Sequence, residues 1–411
     1  MQLLFRNARV LDCETGEARP GRSVLVEDDR IVEVGEGEIH ATDARVIDAG
    51  GRTLMPGLID AHVHAVITTM NLAAMTTRPA SLVAIEAARI LERMLHRGFT
   101  TVRDAGGADY GLAQAVALGI TPGPRIFYSG RTLSQTGGHG DFTPKTDAPM
   151  LCACQIHSTG FSHVADGVAA VRKAAREELR RGASQVKIMA SGGVASPSDP
   201  IWNLQYSKEE MRAIVEEAES WRTYAMAHAY TPEAITRAVE AGVRTIEHGN
   251  LIDAATAEKM KGAGAYLVPT LVTYFAIDEM GRALGFPEKS LAKVKDVLDA
   301  GLASLEIAKA AGVPIGFGTD LLGETHEQQS REFGIRARVQ SPAEILRSAT
   351  VVNAEILGRT GELGVVAPGA LADLLVVDGD PLEDLSLLEE PAKSLAVIVK
   401  GGAVVVDRLG A

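Results

Sequence analysis

Cysteine is scarce in this sequence. Cys13, Cys152 and Cys154 are too few for a disulfide framework, so a reducing, cytoplasmic setting is expected. Basic charge is short as well: 41 Lys and Arg against 53 Asp and Glu leave a net charge of −12. Neither a nucleic acid nor an anionic membrane surface is therefore an expected partner. No apolar run approaches the length of a membrane span. Met1-Gln-Leu-Leu-Phe-Arg6 enters a strand pattern directly, without the basic start and apolar core of a signal peptide. Aromatic residues make up only 4%, whereas 42 glycines suit an α/β enzyme with many tight strand–helix turns. The 411 residues, 46% of them hydrophobic, suffice for a large core and more than one domain.

Residues 3–53 alternate apolar and polar positions, with a hairpin turn at Asp28-Asp29 and a third strand at 45–48. The same pattern returns in 363–411. Each end alone has too few strands to bury a face, so 1–55 and 363–411 are expected to pair into one composite β-sandwich. Between them, short apolar strands alternate with amphipathic helices. Strands are predicted at 54–64, 100–105, 125–130, 186–191, 224–230, 245–249, 266–271 and 314–320. Helices are predicted at 81–97, 164–182, 207–222, 232–241, 287–311 and 342–357. Ser207-Lys-Glu-Glu210 reads as a capping box, and Thr231-Pro232 as an N-cap with a first-turn proline. This is the count of a (β/α)8 TIM barrel over 56–362. The rival, a doubly wound sheet, would need a Gly-x-Gly-x-x-Gly turn that the sequence does not contain. The stretch 137–160, rich in Gly, Pro, Asp and Thr, reads as a long loop after the third strand.

One segment invites chemistry. Met55-Pro-Gly-Leu-Ile-Asp-Ala-His-Val-His64 ends a buried strand with two histidines on one face, where they could hold a metal or pack as ordinary core residues. Further strand ends carry His228, His248 and Asp320, and Lys187 lies inside the apolar fourth strand. A buried lysine is costly unless paired or neutralised. Metal ligation through a modified lysine explains it, as does a salt bridge to Asp320 or Glu247. Arg103-Asp104 reads as a buried ion pair, Glu247 as facing away from His248, and His40, His96 and His326 as surface residues. Cys152-Ala-Cys154 with His157 and His163 lacks the usual knuckle spacing and reads as surface loop.

Together, Pro56-Gly-Leu-Ile-Asp-Ala-His-Val-His64, Val186-Lys-Ile188, Ala227-His228, Glu247-His248-Gly249 and Gly318-Thr-Asp320 resemble the amidohydrolase superfamily along essentially the whole chain. The resemblance implies two divalent ions, Zn2+, bridged by an N6-carboxylated Lys187. It assigns His62, His64 and Asp320 to one ion, and His228 and His248 to the other. It also implies a bridging hydroxide whose proton Asp320 takes and returns as general base and acid. More finely, Arg97-Gly-Phe-Thr-Thr-Val-Arg-Asp-Ala-Gly-Gly107, Ser134-Gln-Thr-Gly-Gly-His139 and Lys187-Ile-Met-Ala-Ser-Gly-Gly-Val-Ala-Ser-Pro197 are similar to imidazolonepropionase-like proteins. His228-Ala-Tyr-Thr-Pro232 and Gly316-Phe-Gly-Thr-Asp-Leu-Leu-Gly323 add to the likeness. That branch contains the zinc-dependent Xaa-Pro dipeptidases, or prolidases, with relatives that cleave other C-terminal residues or amide-linked toxins such as ochratoxin.

An Xaa-Pro amide nitrogen carries no hydrogen, so a prolidase must hold the free carboxylate and the ring. His139 and Tyr230 are the candidates, with loop and rim packing as their alternatives. The expected partner is a small dipeptide or amide, and a homo-oligomer is expected. An imidazolonepropionase or a deaminase is a second reading, although mononuclear deaminases of this superfamily lack the bridging lysine. A non-catalytic metal-binding scaffold is a third.

Overall fold

β1 (Gln2–Asp12) and β2 (Glu17–Glu27) pair antiparallel, and β3 (Arg30–Glu36) adds across the turn at Asp28-Asp29. Asp28 takes a φ of 53°, a left-handed value that aspartate tolerates in a tight hairpin. β4 (Arg45–Asp48) and β5 (Thr53–Pro56) then run parallel to successive parts of β1. The structure is a computed structural model that describes residues 2–75, 77–143, 160–196 and 199–409. The cysteine–histidine cluster read at Cys152, Cys154 and His157 lies outside these residues, as does most of 137–160.

A run of parallel strands follows. β6 (Leu58–Val63), β7 (Phe99–Asp104) and β8 (Arg125–Tyr128) form one sheet. A second sheet contains β9 (Thr132–Ser134), β10 (Ser162–Val164), β11 (Val186–Met189), β12 (Ala225–Ala229), β13 (Thr245–His248) and β14 (Tyr266–Val268), in the order β10-β9-β11-β12-β13-β14. Every residue of β6, β7, β11, β12 and β13 is buried, as expected of strands covered on both faces.

The predicted strand at 314–320 is not a regular one. It makes a single bridge, Ile315 to Leu267, and then crosses over. Gly316 N–H donates to Leu267 O, while Ala61 N–H donates to Phe317 O and Asp320 N–H to His62 O, each at 2.8 Å. The segment is thus bonded to β14 on one side and β6 on the other. Gly318 has no alternative, because a Cβ there would lie 2.7 Å from Val268 and 2.8 Å from His62. On the other side, Ser184 N–H donates to Tyr128 O, and the Gln185 amide donates to Asp104 O and Phe127 O.

Helices at Ala80–His96, Lys208–Ser220, Pro232–Glu240 and Glu288–Ala311 match the predicted spans to within a residue or two, and both predicted caps are formed. The stretch 164–182 starts later, because Ser162–Val164 pairs with β9 and the helix covers Val168–Arg180. The stretch 342–357 is interrupted: a π turn at Ser348–Val352 separates Pro342–Arg347 from Asn353–Ile356. Ser348 and Thr350 turn their hydroxyls to Ile315 O and Leu346 O, and Asn353 donates to Ile59 O and Phe317 O. Those bonds reward the wider turn. Helices at Tyr110–Ala117, Ala254–Ala263 and Leu271–Met280 complete the pattern. Among the described residues, no helix is long and apolar enough to cross a membrane.

β15 (Leu374–Val377), β16 (Leu395–Lys400) and β17 (Ala403–Asp407) return to the N-terminal strands, giving one eight-stranded sheet from both chain ends. Its order is β17-β16-β15-β5-β1-β2-β3, with β4 on β1. The sheet curls, so that Ile31 N–H reaches Ala370 O and Ala372 N–H reaches Asp29 O. Alternation along β15 decides what each face buries. Leu374 and Val376 join Leu3, Phe5 and Val24, whereas Leu375 and Val377 join Leu58 and Phe99 beneath the parallel strands.

Candidate metal and substrate site

The strand ends bring the predicted residues together. His62, His248 and Asp320 each offer one ligand atom, all within 4.8 Å of one another. Asp320 Oδ1 lies 3.4 Å from His62 Nε2 and 3.2 Å from His64 Nε2. The His228 ring centre is 4.6 Å from that of His248. His248 and Asp320 take φ values of 73° and 52°, left-handed conformations that histidine and aspartate enter more readily than most residues and that recur at functional positions.

Each histidine has one ring nitrogen committed elsewhere. His62 Nδ1 is 2.7 Å from Glu247 Oε2, His64 Nδ1 is 2.9 Å from Gly106 O, and His228 Nε2 is 3.2 Å from Gly192 O. A carboxylate or a carbonyl can only accept, so those nitrogens carry the hydrogen, and a metal ion would meet the opposite nitrogen of each ring once it is free of a proton. His248 Nδ1 is engaged by Thr270 Oγ1 at 2.8 Å. His62 Nε2 is buried and has no hydrogen-bond partner. Burial pushes the His228 and His248 imidazolium pKa values well below the ordinary value, leaving both rings neutral as ligation requires. Burial works against charge on Asp320 too, but His62 and His64 hold its carboxyl well below the usual range. Imidazole rings gathered around an ionised carboxylate, two of them with Nε2 within 3.4 Å of it, fit a borderline-soft divalent cation such as zinc.

Lys187 is 1% exposed and lines the same cavity. It forms no salt bridge to Asp320 or Glu247; burial instead lowers its ammonium pKa to about 8. Glu247 is committed elsewhere. Both its oxygens lie 2.9 Å from Arg103 Nη2, and Thr245 Oγ1 donates to Oε1. Burial would raise the Glu247 carboxyl, yet the Arg103 charge and the His62 hydrogen bond bring it down to about 2.

Three sequence readings are thereby corrected. Glu247 does not face away from the site. His248 turns left-handed at the strand end, which breaks the alternation and lets both residues look inward. Arg103 pairs with Glu247, whereas Asp104 accepts the backbone N–H groups of Ala65, Gly106 and Ala108 and so braces the turn that presents Gly106 O to His64. His326 is buried, with Nε2 3.3 Å from Ile67 O, because the two-turn segment Gly323–Gln328 packs against the loop after β6. His40 and His96 are exposed, as read.

His139 and Tyr230 both reach the cavity. His139 stacks on His228 at 4.4 Å, its backbone N–H bonded to Gln205, and Tyr230 stacks on His248 at 5.3 Å. Tyr274 was not anticipated; its hydroxyl is 2.8 Å from that of Tyr230. Residues 271–277 of its helix are nearly all apolar and buried, so they give no periodic signal. The walls are apolar, formed by Ile67, Phe142, Phe161, Met189, Val194 and Leu322. Gly193 is fixed by this geometry, since a Cβ would lie 2.3 Å from the His139 ring. Gly193→Ala is expected to displace that ring and raise KM by about tenfold, the cost of one lost hydrogen bond, with metal content unchanged in an elemental assay. A wild-type KM would show that His139 does not touch substrate.

The comparisons bear directly on this arrangement. Residues 53–404 match the family model described as the amidohydrolase family. The chain is 52% identical to a prolidase solved in complex with N-methylphosphonate-L-proline, at a TM-score of 0.97, covering 99% of this chain and 100% of that one. It is 30% identical to a Xaa-Pro dipeptidase solved with methionine in its active site, at a TM-score of 0.89, covering 99% and 100%. It is also 32% identical over 402 residues to the ochratoxinase of Aspergillus niger, covering 94% of this chain and 83% of that protein. With that extent of match, the chain belongs to the amidohydrolase family and is a hydrolase acting on amide bonds.

Proposed function

We propose that the chain is a metal-dependent dipeptidase for Xaa-Pro substrates. In this reading residues 56–362 form a closed (β/α)8 barrel, and 1–55 with 363–411 form the small β domain, its single curled sheet standing where a two-sheet sandwich is expected. The observation that carries it is the convergence of His62, His64, Lys187, His228, His248 and Asp320 on one apolar-walled cavity. His62, His64 and Asp320 would hold one Zn2+ and His228 and His248 a second, with an N6-carboxylated Lys187 between them. Carboxylation joins the neutral amine to carbon dioxide and releases a proton, turning a buried cation into an oxygen-donor anion. The lowered pKa of Lys187 makes that neutral amine accessible near pH 8. When bound, such ions polarise a carbonyl and acidify water at neutral pH.

The chain's own groups do the rest. Asp320 takes the proton of the attacking water on its carboxylate and passes it to the leaving nitrogen. Among the described residues, no arginine lines the cavity, and Lys187 and Asp320 are its only ionisable groups besides histidine and tyrosine. The substrate carboxylate is thus met by His139 and Tyr230, and the proline ring by the apolar wall. A second reading, a dipeptidase for other apolar C-terminal residues or an amidase for ochratoxin-like amides, is favoured by the same wall and by the likeness to ochratoxinase.

Elemental analysis followed by hydrolysis of Xaa-Pro, Xaa-Arg and bulky aromatic amides separates the readings. Xaa-Pro should lead, with Xaa-Arg poor because the described cavity offers a basic side chain no second carboxylate. Preference for aromatic amides would support the second reading. His228→Asn is expected to lose one of two ions and roughly a hundredfold in kcat/KM. Two retained ions with full hydrolysis would overturn the binuclear assignment.

A further inference from the structure

Resting on the reading of Tyr230 as a substrate-facing group, we infer that Thr270 and Tyr274 join it to His248 in a one-way hydrogen-bond chain that turns the Tyr230 hydroxyl hydrogen into the cavity. Thr270 immediately precedes the helix Leu271–Met280, and Tyr274 lies on its first turn. His248 Nδ1 is 2.8 Å from Thr270 Oγ1, and the Tyr274 and Tyr230 hydroxyls are 2.8 Å apart; a bond from the Thr270 hydroxyl to the Tyr274 phenol completes the chain in this proposal. All are buried: Thr270 is 0% exposed, and Tyr230 and Tyr274 are each 2% exposed.

The direction follows from counting hydrogens. A His248 that offers its Nε2 lone pair to a ligand must carry its hydrogen on Nδ1, and so donates to Thr270. Thr270 has then used an acceptor and passes its own hydrogen to Tyr274, which passes its hydrogen to Tyr230. Tyr230 is left with one hydrogen and no protein acceptor in the chain, so that hydrogen faces the cavity. Reversing the Thr270–Tyr274 link would leave the Thr270 hydrogen, and reversing the Tyr274–Tyr230 link the Tyr274 hydrogen, without an acceptor in the chain. Low local dielectric strengthens each link, and the stack of Tyr230 on His248, inclined by only 17°, keeps the phenol from swinging away. The chain therefore presents a donor, which selects a substrate oxygen, carbonyl or carboxylate, over an ammonium. Thr270 and Tyr274 are positioning residues; neither is required to touch substrate.

A double-mutant cycle on the metal-loaded enzyme tests this, using whichever Xaa-Pro or Xaa-Phe dipeptide the wild type cleaves fastest. Tyr230→Phe and Tyr274→Phe should each lower kcat/KM by roughly ten- to hundredfold, and the double variant should be no worse than Tyr230→Phe alone. Thr270→Val should resemble Tyr274→Phe, and Thr270→Ser, which keeps the hydroxyl, should restore wild-type rates. Metal content should stay constant for the tyrosine variants. Multiplicative losses in the double variant, or a wild-type rate for Tyr274→Phe, overturn the chain while leaving the dipeptidase reading intact. A wild type that cleaves no dipeptide sinks both.

Discussion

Asp320→Asn should abolish almost all turnover, lowering kcat by about a thousandfold, the scale set by loss of a positioned general base. The substitution is chosen for what it preserves. Asparagine has the same shape, keeps one oxygen facing His62 and His64, and is among the few residues that tolerate the left-handed backbone that Asp320 adopts at φ 52°. Folding and much of the metal content should therefore survive, and thermal midpoint and elemental analysis report both. What disappears is the basic oxygen. His62 and His64 hold the Asp320 carboxyl well below the usual range, so it is ionised throughout neutral pH. A variant that keeps its metal and turns over within tenfold of wild type would remove Asp320 from the proton-transfer role.

The sequence showed much of this site because its signals were short-range. His62-Val63-His64 is a period-two pattern on a buried strand, and Lys187 is a charge inside an apolar run; both can be read without knowing the fold. The layer behind them was read wrongly, for a physical reason. Strand alternation turns Glu247 away from the ligands, and alternation fails where His248 takes a φ of 73°. Nothing local announces that turn. Arg103 was paired with its sequence neighbour Asp104, although its guanidinium reaches a glutamate 144 positions away. The segment 314–320 illustrates the same limit. Its apolar run predicted a regular strand, yet Gly316, Gly318 and the left-handed Asp320 leave it attached by a few bonds to β14 and β6, the contacts that set Asp320 against His62. Tertiary partners decide such positions, and they lie far away in the chain.

The pair beneath His62 carries the other large effect. Arg103→Met is expected to destabilise the metal-free protein by about 3–5 kcal/mol, the usual cost of stranding one partner of a buried ion pair. Arg103 is fully buried; besides Glu247 it donates to Ala61 O at 2.6 Å and to Thr245 Oγ1 at 3.1 Å. Methionine fills much of the space but leaves the Glu247 carboxylate uncompensated. The pH dependence has a definite sign. In the wild type Glu247 titrates at about 2, below its ordinary 4.5, so its contribution is present above pH 4.5 and fades as pH falls towards 2. Without Arg103, burial dominates and Glu247 is raised instead, so the variant loses stability as pH rises. The deficit should be largest at pH 7 and shrink at pH 5, measured by urea unfolding. Adding Glu247→Leu should recover most of the stability, since a buried pair replaced on both sides is often neutral. It should not recover the site. His62 Nδ1 would lose its acceptor, and metal affinity in a chelator competition should fall by roughly ten- to hundredfold. A double variant that regains both stability and metal affinity would show that the Arg103–Glu247 pair serves the fold alone; recovered stability with weakened metal binding assigns it to the orientation of His62.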